Sequence, residues 1–178
     1  MKKSILLLFS AMLFASCHGA RYHYKQGNRF AEARALKRAV TEYKFALDRK
    51  PNKAKYVTAM NTYGTALLEE LYTNYRFADG NDSLSVYKFL EAEKWTNYLK
   101  PYISVSRYEG FYTRDYLEQR SRYMAGVYER SHGLIRAKDY QQAQKRLREL
   151  NELDPKYKDV KSLLRFSEVE PVYTAALE

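Results

Sequence analysis

Four residues recur with one spacing at two distant places in the chain. Ala39, Tyr43, Ala46 and Pro51 are separated by four, three and five positions, and Ala143, Leu147, Leu150 and Pro155 repeat those steps 104 positions later. Steps of four and three line up residues on one face of a helix. A Pro shortly afterwards stops the helix, because its ring clashes with the preceding turn and it has no N–H to donate. Helical spacing continues elsewhere. Phe30, Ala33, Leu36, Val40, Tyr43 and Leu47 form one predicted helix, ended by Pro51-Asn52. Val57, Met60, Gly64, Leu67, Leu68, Leu71 and Tyr75 form the next. A third carries Leu84, Tyr87, Glu91, Trp95 and Tyr98, opened by Asp82 or Ser83 as cap after the loop from Asp79 and ended near Pro101. After a looser stretch around Gly110, a long helix carries Leu117, Met124, Val127, Tyr128, Ser131 and Ile135. Lys138-Asp139 marks a tight turn before Tyr140, Ala143, Leu147 and Leu150. The last helix, Tyr157, Val160, Leu163 and Leu164, is expected to break near Pro171. No strand alternation or Asn-Gly hairpin interrupts these segments, and seven Gly and four Pro in 178 residues suit helices. A hydrophobic fraction of 46% is too high for intrinsic disorder. The expected class is all-α.

The N-terminus reads as a targeting segment. Lys2 and Lys3 precede an apolar run from Ile5 to Phe14, followed by Ala15-Ser16-Cys17. This is the pattern of a secretory signal peptide, and it is too short to span a bilayer, which takes about 20 apolar residues. Leu13-Phe14-Ala15-Ser16-Cys17 resembles the lipobox of bacterial lipoproteins, with Phe14 and Ser16 at positions more often held by Leu and by Gly or Ala. The resemblance implies that residues 1–16 are removed, and that Cys17, the only Cys of the chain, carries acyl chains such as palmitate. Two or more chains anchor a protein stably. Residues 17–28 are then an anchor linker and the start of the first helix, and 29–178 the helical domain. His18, rather than an Asp, follows the Cys, which implies the bacterial outer membrane, facing the periplasm.

Asp139-Tyr140-Gln141-Gln142-Ala143, followed by Leu153-Asp154-Pro155, resembles the second helix of a tetratricopeptide repeat and its terminating Pro. Gly27 and Phe30 fall where the first unit of that family has a Gly and an aromatic. Ser131 takes the Gly position of the last unit, and Leu150 stands where a second small residue belongs. The 104 positions between Pro51 and Pro155 are close to three units of about 34 residues. The resemblance implies antiparallel helical hairpins stacked as a short right-handed solenoid over about 20–170. It also implies a non-catalytic scaffold or adaptor that holds a segment of another cell-envelope protein.

Chemistry-bearing motifs are sparse. His18, His23 and His132 have no metal-ligand spacing, and there is no nucleophile elbow, phosphate-cradling loop or zinc-protease motif. Glu69-Glu70, Glu91 and Glu93 read as solvated helix faces. The expectation is no enzyme, metal or cofactor. The formal charge of +10 is concentrated in the first hairpin, from Arg34 to Lys55, and in the last, from Lys145 to Arg165. An exported protein rarely meets nucleic acid, so lipid headgroups or acidic partner segments are better matches, although interleaved Asp48, Glu149, Glu152 and Asp154 also fit a mixed solubilising surface. Of 18 Tyr, Tyr43, Tyr87, Tyr98, Tyr128, Tyr140 and Tyr157 fall on core stripes. Tyr22, Tyr24, Tyr63, Tyr112 and Tyr123 fall off them and are candidates for a groove. In a repeat array the first helix of each pair lines the groove. Here those are about 54–76 and 113–136, offering Asn61, Thr65, Arg120, Tyr123 and Arg130 to an extended acidic peptide. The second candidate surface is the basic stripe Lys145, Arg146 and Arg148. A glycan or peptidoglycan ligand stacked on Tyr and Trp95 is the alternative. The residues specify neither the partner's identity nor the oligomeric state.

Overall fold

The computed structural model describes residues 19–108, 110 and 112–177, with side chains up to Pro171. The expected leader 1–16, the Cys17 lipidation site and His18 lie outside the described residues. Among the described residues the chain is all-helical, without strands. Its helices are α1 (Ala20–Glu32), α2 (Leu36–Arg49), α3 (Ala54–Phe77), α4 (Asp82–Leu99), α5 (Thr113–Arg136), α6 (Tyr140–Leu153) and α7 (Val160–Leu177). No described helix is long and apolar enough to cross a membrane. Two compact units divide the chain. The first holds α1, α2, α3, α4 from Lys88 onward and the segment that follows it; the second holds residues 78–87, α5, α6 and α7.

The α1–α2 hairpin of the first unit and the α5–α6 hairpin of the second are alike at the turn and along the return helix, although α1 has 13 residues and α5 has 24. In the first, α1 ends in an αL residue, Arg34 (φ 56°), with Ala35 N–H donating to Phe30 O (2.8 Å) and Arg34 N–H to Ala31 O (3.0 Å). In the second, α5 ends in Lys138 (φ 59°), with Asp139 N–H donating to Leu134 O and Lys138 N–H to Ile135 O, both 2.9 Å. This pair of bonds satisfies the last carbonyls of a helix and reverses the chain. The return helices begin and end 104 positions apart, and their core positions match: Ala39 and Ala143, Tyr43 and Leu147, and Ala46 and Leu150 are all fully buried. The facing positions are Gly27 and Ser131. A Cβ on Gly27 would stand 2.5 Å from Cε1 of Tyr43, so only glycine lets α1 approach the tyrosine ring. At the other site Leu147 leaves room for Ser131, whose Oγ donates to Val127 O (2.9 Å).

Several expectations about faces and ends are corrected. The predicted helix beginning at Phe30 is two helices, α1, which starts at Ala20 and contains Phe30, and α2. On α4 the expected stripe faces outward, with Leu84 and Tyr87 each 45% exposed. Ser85, Val86, Phe89, Ala92, Thr96 and Leu99 are buried instead. The two hydroxyls are tolerated because Ser85 donates to Ala78 O (2.8 Å) and Thr96 to Ala92 O (2.9 Å). The N-cap is Asn81, whose Oδ1 accepts from Leu84 N–H (3.0 Å), rather than Asp82 or Ser83. Val57 and Leu117 are exposed, whereas their neighbours Tyr56 and Tyr116 turn inward. Tyr157 precedes α7, its ring edge-on to Tyr128. Pro171 does not end α7. It leaves Ser167 O without an intrahelical donor, and Gln144 Nε2 supplies one at 2.8 Å.

Candidate functional site

A cleft of about 460 Å³ opens in the first unit between α1 and α3. One wall is Tyr24, Asn28 and Glu32, spaced by four along α1, and the other is Lys55, Thr58, Ala59, Thr62 and Tyr63 of α3. The α1–α2 hairpin fixes the first wall, and α3 packs on α2 to supply the second. Tyr43 of α2 joins them, with its ring stacked on Tyr63 (5.5 Å between centroids, 20°) and tilted against Tyr24 (5.9 Å). Burial, reinforced by the neighbouring Tyr63 and Tyr24, pushes the Tyr43 hydroxyl well above its ordinary pKa. It therefore stays protonated and donates to Asn28 Oδ1 at 2.9 Å. That bond fixes the amide and leaves its NH2 as the donor available to an incoming acceptor. The Lys55 ammonium sits over the Tyr24 ring (4.9 Å) and near the Tyr56 ring (5.6 Å), an arrangement that orders a cation beside two aromatic faces.

Of the tyrosines expected to line a groove, Tyr24 and Tyr63 do so here. Asn28 and Lys55 were not foreseen. The five residues expected to form the groove are distributed differently. Asn61 and Thr65 lie on α3 outside the cleft lining, Asn61 exposed and Thr65 half-buried. Arg120, Tyr123 and Arg130 are on α5, in the other unit. Arg120 is not a free groove residue. It donates to Leu153 O (2.5 Å) and lies 3.7 Å from Asp154 Oδ2, so it closes the C-terminus of α6. Tyr123 is only 9% exposed. It donates to Glu149 Oε1, which also accepts from Tyr87 (2.5 Å). Burial disfavours the charge on Glu149, but the Tyr123 and Tyr87 hydroxyls and Arg146 outweigh it and hold the carboxyl below its ordinary range. Arg130 is exposed and, with Gly133, Leu134, Asp139, Gln142 and Arg146, lines a depression at the α5–α6 turn.

The basic stripe on α6 is partly neutralised. Arg146 pairs with Glu149 (3.6 Å) and Arg148 with Glu168 (3.3 Å), while Lys145 shares its surface with Glu149 and Glu152. Among the described residues that surface is lined by α6. In the second hairpin Tyr128 stands 104 positions after Tyr24. There its hydroxyl donates to Asp159 (2.6 Å), a bond that pushes it up to about 12, and Lys158 caps its ring at 4.0 Å. The equivalent tyrosine is thus occupied internally, whereas Tyr24 borders an open cleft. Among the described residues no three His, Cys, Asp or Glu side chains gather to hold a metal ion. In comparisons with known protein families, curated proteins and solved structures, nothing matched this chain.

Proposed function

We propose that the protein is a lipid-anchored, non-catalytic scaffold of the bacterial cell envelope, in which tetratricopeptide-like hairpins hold an extended segment of another envelope protein. Anchoring through Cys17 at the outer membrane, facing the periplasm, belongs to the same proposal and rests on the lipobox resemblance. The repeat reading is supported by the two hairpins, which share the length of the return helix, the turn bonds and the core positions at a shift of 104. The observation that carries the binding reading is the α1–α3 cleft, with its fixed Asn28 donor between tyrosine faces. A peptide backbone presents a carbonyl every few ångströms for such a donor, and tyrosine supplies contact area at low entropic cost. Filling the cleft tests this. Peptides selected from a random library on the Cys17→Ser protein should lose at least tenfold in affinity with Thr58→Trp or Thr62→Trp, both exposed positions of the lining. Unchanged affinity in both variants would remove the cleft from the proposal.

A glycan is the second reading. One observation favours it: Trp95, Phe30 and Arg38, with Lys37, Thr41 and Glu42, line a separate depression of about 370 Å³ in the same unit. Glycan binding there would change the emission of Trp95, the only Trp in the chain, whereas peptide binding in the α1–α3 cleft would not.

A further inference from the structure

The outward face of α1 carries Arg21, Lys25 and Arg29, spaced by four so that they form one ridge about 12 Å long. All three are exposed, and none is ion-paired with a described residue. Tyr22 is exposed beside them. The arrangement runs against helix stability. The first turn of α1 has no acidic residue, Gly19 offers no side-chain cap, and Arg21 adds positive charge to the positive end of the helix dipole. An anionic surface would offset both. The ridge is also near the anchor: Arg21 is four residues from Cys17, a span of at most about 14 Å even when extended.

We infer that this ridge is a membrane-contact surface that lays α1 on the anionic phospholipid headgroups of the bilayer holding the Cys17 lipid. The inference rests on the proposed lipid anchor for its setting, and the ridge acts as the second signal that strengthens an acyl anchor. Each basic side chain at an anionic surface raises partitioning about fivefold, so three raise it about a hundredfold. Tyr22 is suited to the headgroup zone, where one end of its ring is wet. The Tyr24–Asn28–Glu32 row lies about 60° around α1 from the ridge, so the cleft opens beside the lipid-facing side of the helix.

The test uses the full mature chain with Cys17→Ser, so that acylation does not contribute. Its sedimentation with vesicles of phosphatidylcholine alone is compared with vesicles containing one-third phosphatidylglycerol. The protein should bind the anionic vesicles, and binding should fall as salt rises. The combined variant Arg21→Glu, Lys25→Glu, Arg29→Glu should lose at least about a hundredfold, while Lys145→Glu with Arg148→Glu should change binding less than threefold. Arg21→Glu places an acid in the first turn of α1, where the dipole favours it, and Arg29→Glu places one in the last turn, where it does not; the two effects offset, and a melt that matches the wild type separates lost contact from lost fold. Equal binding to neutral vesicles, retained binding in the triple variant, or loss only in the α6 variant would each overturn the inference. So would an acidic peptide that saturates the ridge of a protein indifferent to vesicle charge. Palmitate labelling of the wild-type chain tests the anchor separately: no label at Cys17 removes the anchor, and no vesicle preference removes the ridge.

Discussion

Replacing Gly27 with Ala tests the hairpin contact beneath the cleft. The added Cβ would stand 2.5 Å from Cε1, 2.7 Å from Cδ1 and 3.0 Å from Cζ of Tyr43, whereas carbon atoms prefer about 3.5–4.0 Å. The ring has little room to withdraw. It is fully buried, stacked on Tyr63, tilted against Tyr24 and tied through its hydroxyl to Asn28. Overpacking of this kind costs about 1–3 kcal/mol. Ala gains about 1 kcal/mol over Gly in a helix interior, which leaves a net loss of about 1 kcal/mol. In a chain of this size that corresponds to a fall of about 2–4 °C in a thermal melt. The second hairpin indicates the rescue, since Leu147 takes the place of Tyr43 where Ser131 takes that of Gly27. In a Tyr43→Leu background, Gly27→Ala should therefore become neutral or stabilising, with a coupling of about 1 kcal/mol in the double-mutant cycle. The reasoning is refuted if Gly27→Ala raises the melting temperature of the wild type, or if its effect is the same in both backgrounds.

Three further outcomes follow from individual bonds. Lys138→Gly should stabilise by about 1 kcal/mol in denaturant melts, because φ is 59° there and a Cβ is unfavourable in that region; a loss would mean the Lys side chain contributes more than the strain. Arg120→Ala should cost about 1 kcal/mol by releasing Leu153 O and Asp154, whereas Arg130→Ala should stay within about 0.5 kcal/mol; equal effects would contradict the assigned cap. Glu149 has a lowered pKa in the folded chain, so its contribution is complete above its ordinary value of 4.5 and is lost as pH falls below that toward the folded value. Glu149→Gln should flatten the acid limb of stability against pH, and an unchanged slope would count against the Tyr–Glu–Tyr cluster.

Helix ends were easier to read in this sequence than helix faces. Pro51, Pro155 and the loop from Asp79 have direct steric or capping meanings, and α3, α4, α5 and α6 end near the expected places. The face of α4 was ambiguous because both sides carry apolar residues. Leu84, Tyr87 and Trp95 on one side compete with Val86, Phe89 and Leu99 on the other, and the second side is the buried one, together with Ala92 and with Ser85 and Thr96, whose hydroxyls are bonded to local carbonyls. α1 was nearly silent for a related reason. Its buried positions are Ala20, Gly27 and Ala31, and the rest is polar or aromatic. The α1–α2 break falls on Ala33-Arg34-Ala35, which has no Gly or Asn to signal an αL residue. With helical periodicity legible only from Phe30, the Tyr24, Asn28 and Glu32 spacing that makes one wall of the cleft does not stand out as one helical face. Tyr24 and Tyr63 could still be identified as tyrosines off the core stripes. The roles of Arg120 and Tyr123 depended on partners 33 and 26 residues away, Leu153 and Glu149, which helical periodicity does not pair.

Site-specific photocrosslinking in intact membranes tests the scaffold reading most directly. A benzophenone side chain at Thr62, in the cleft lining, is compared with one at Lys156, which is exposed in the second unit. The account predicts one discrete adduct from Thr62 and none from Lys156. It further predicts that Thr58→Trp abolishes that adduct without changing the melt, and that the crosslinked partner peptide maps to one extended segment. No adduct at Thr62, or one of equal yield when Thr58→Trp fills the cleft, would contradict it.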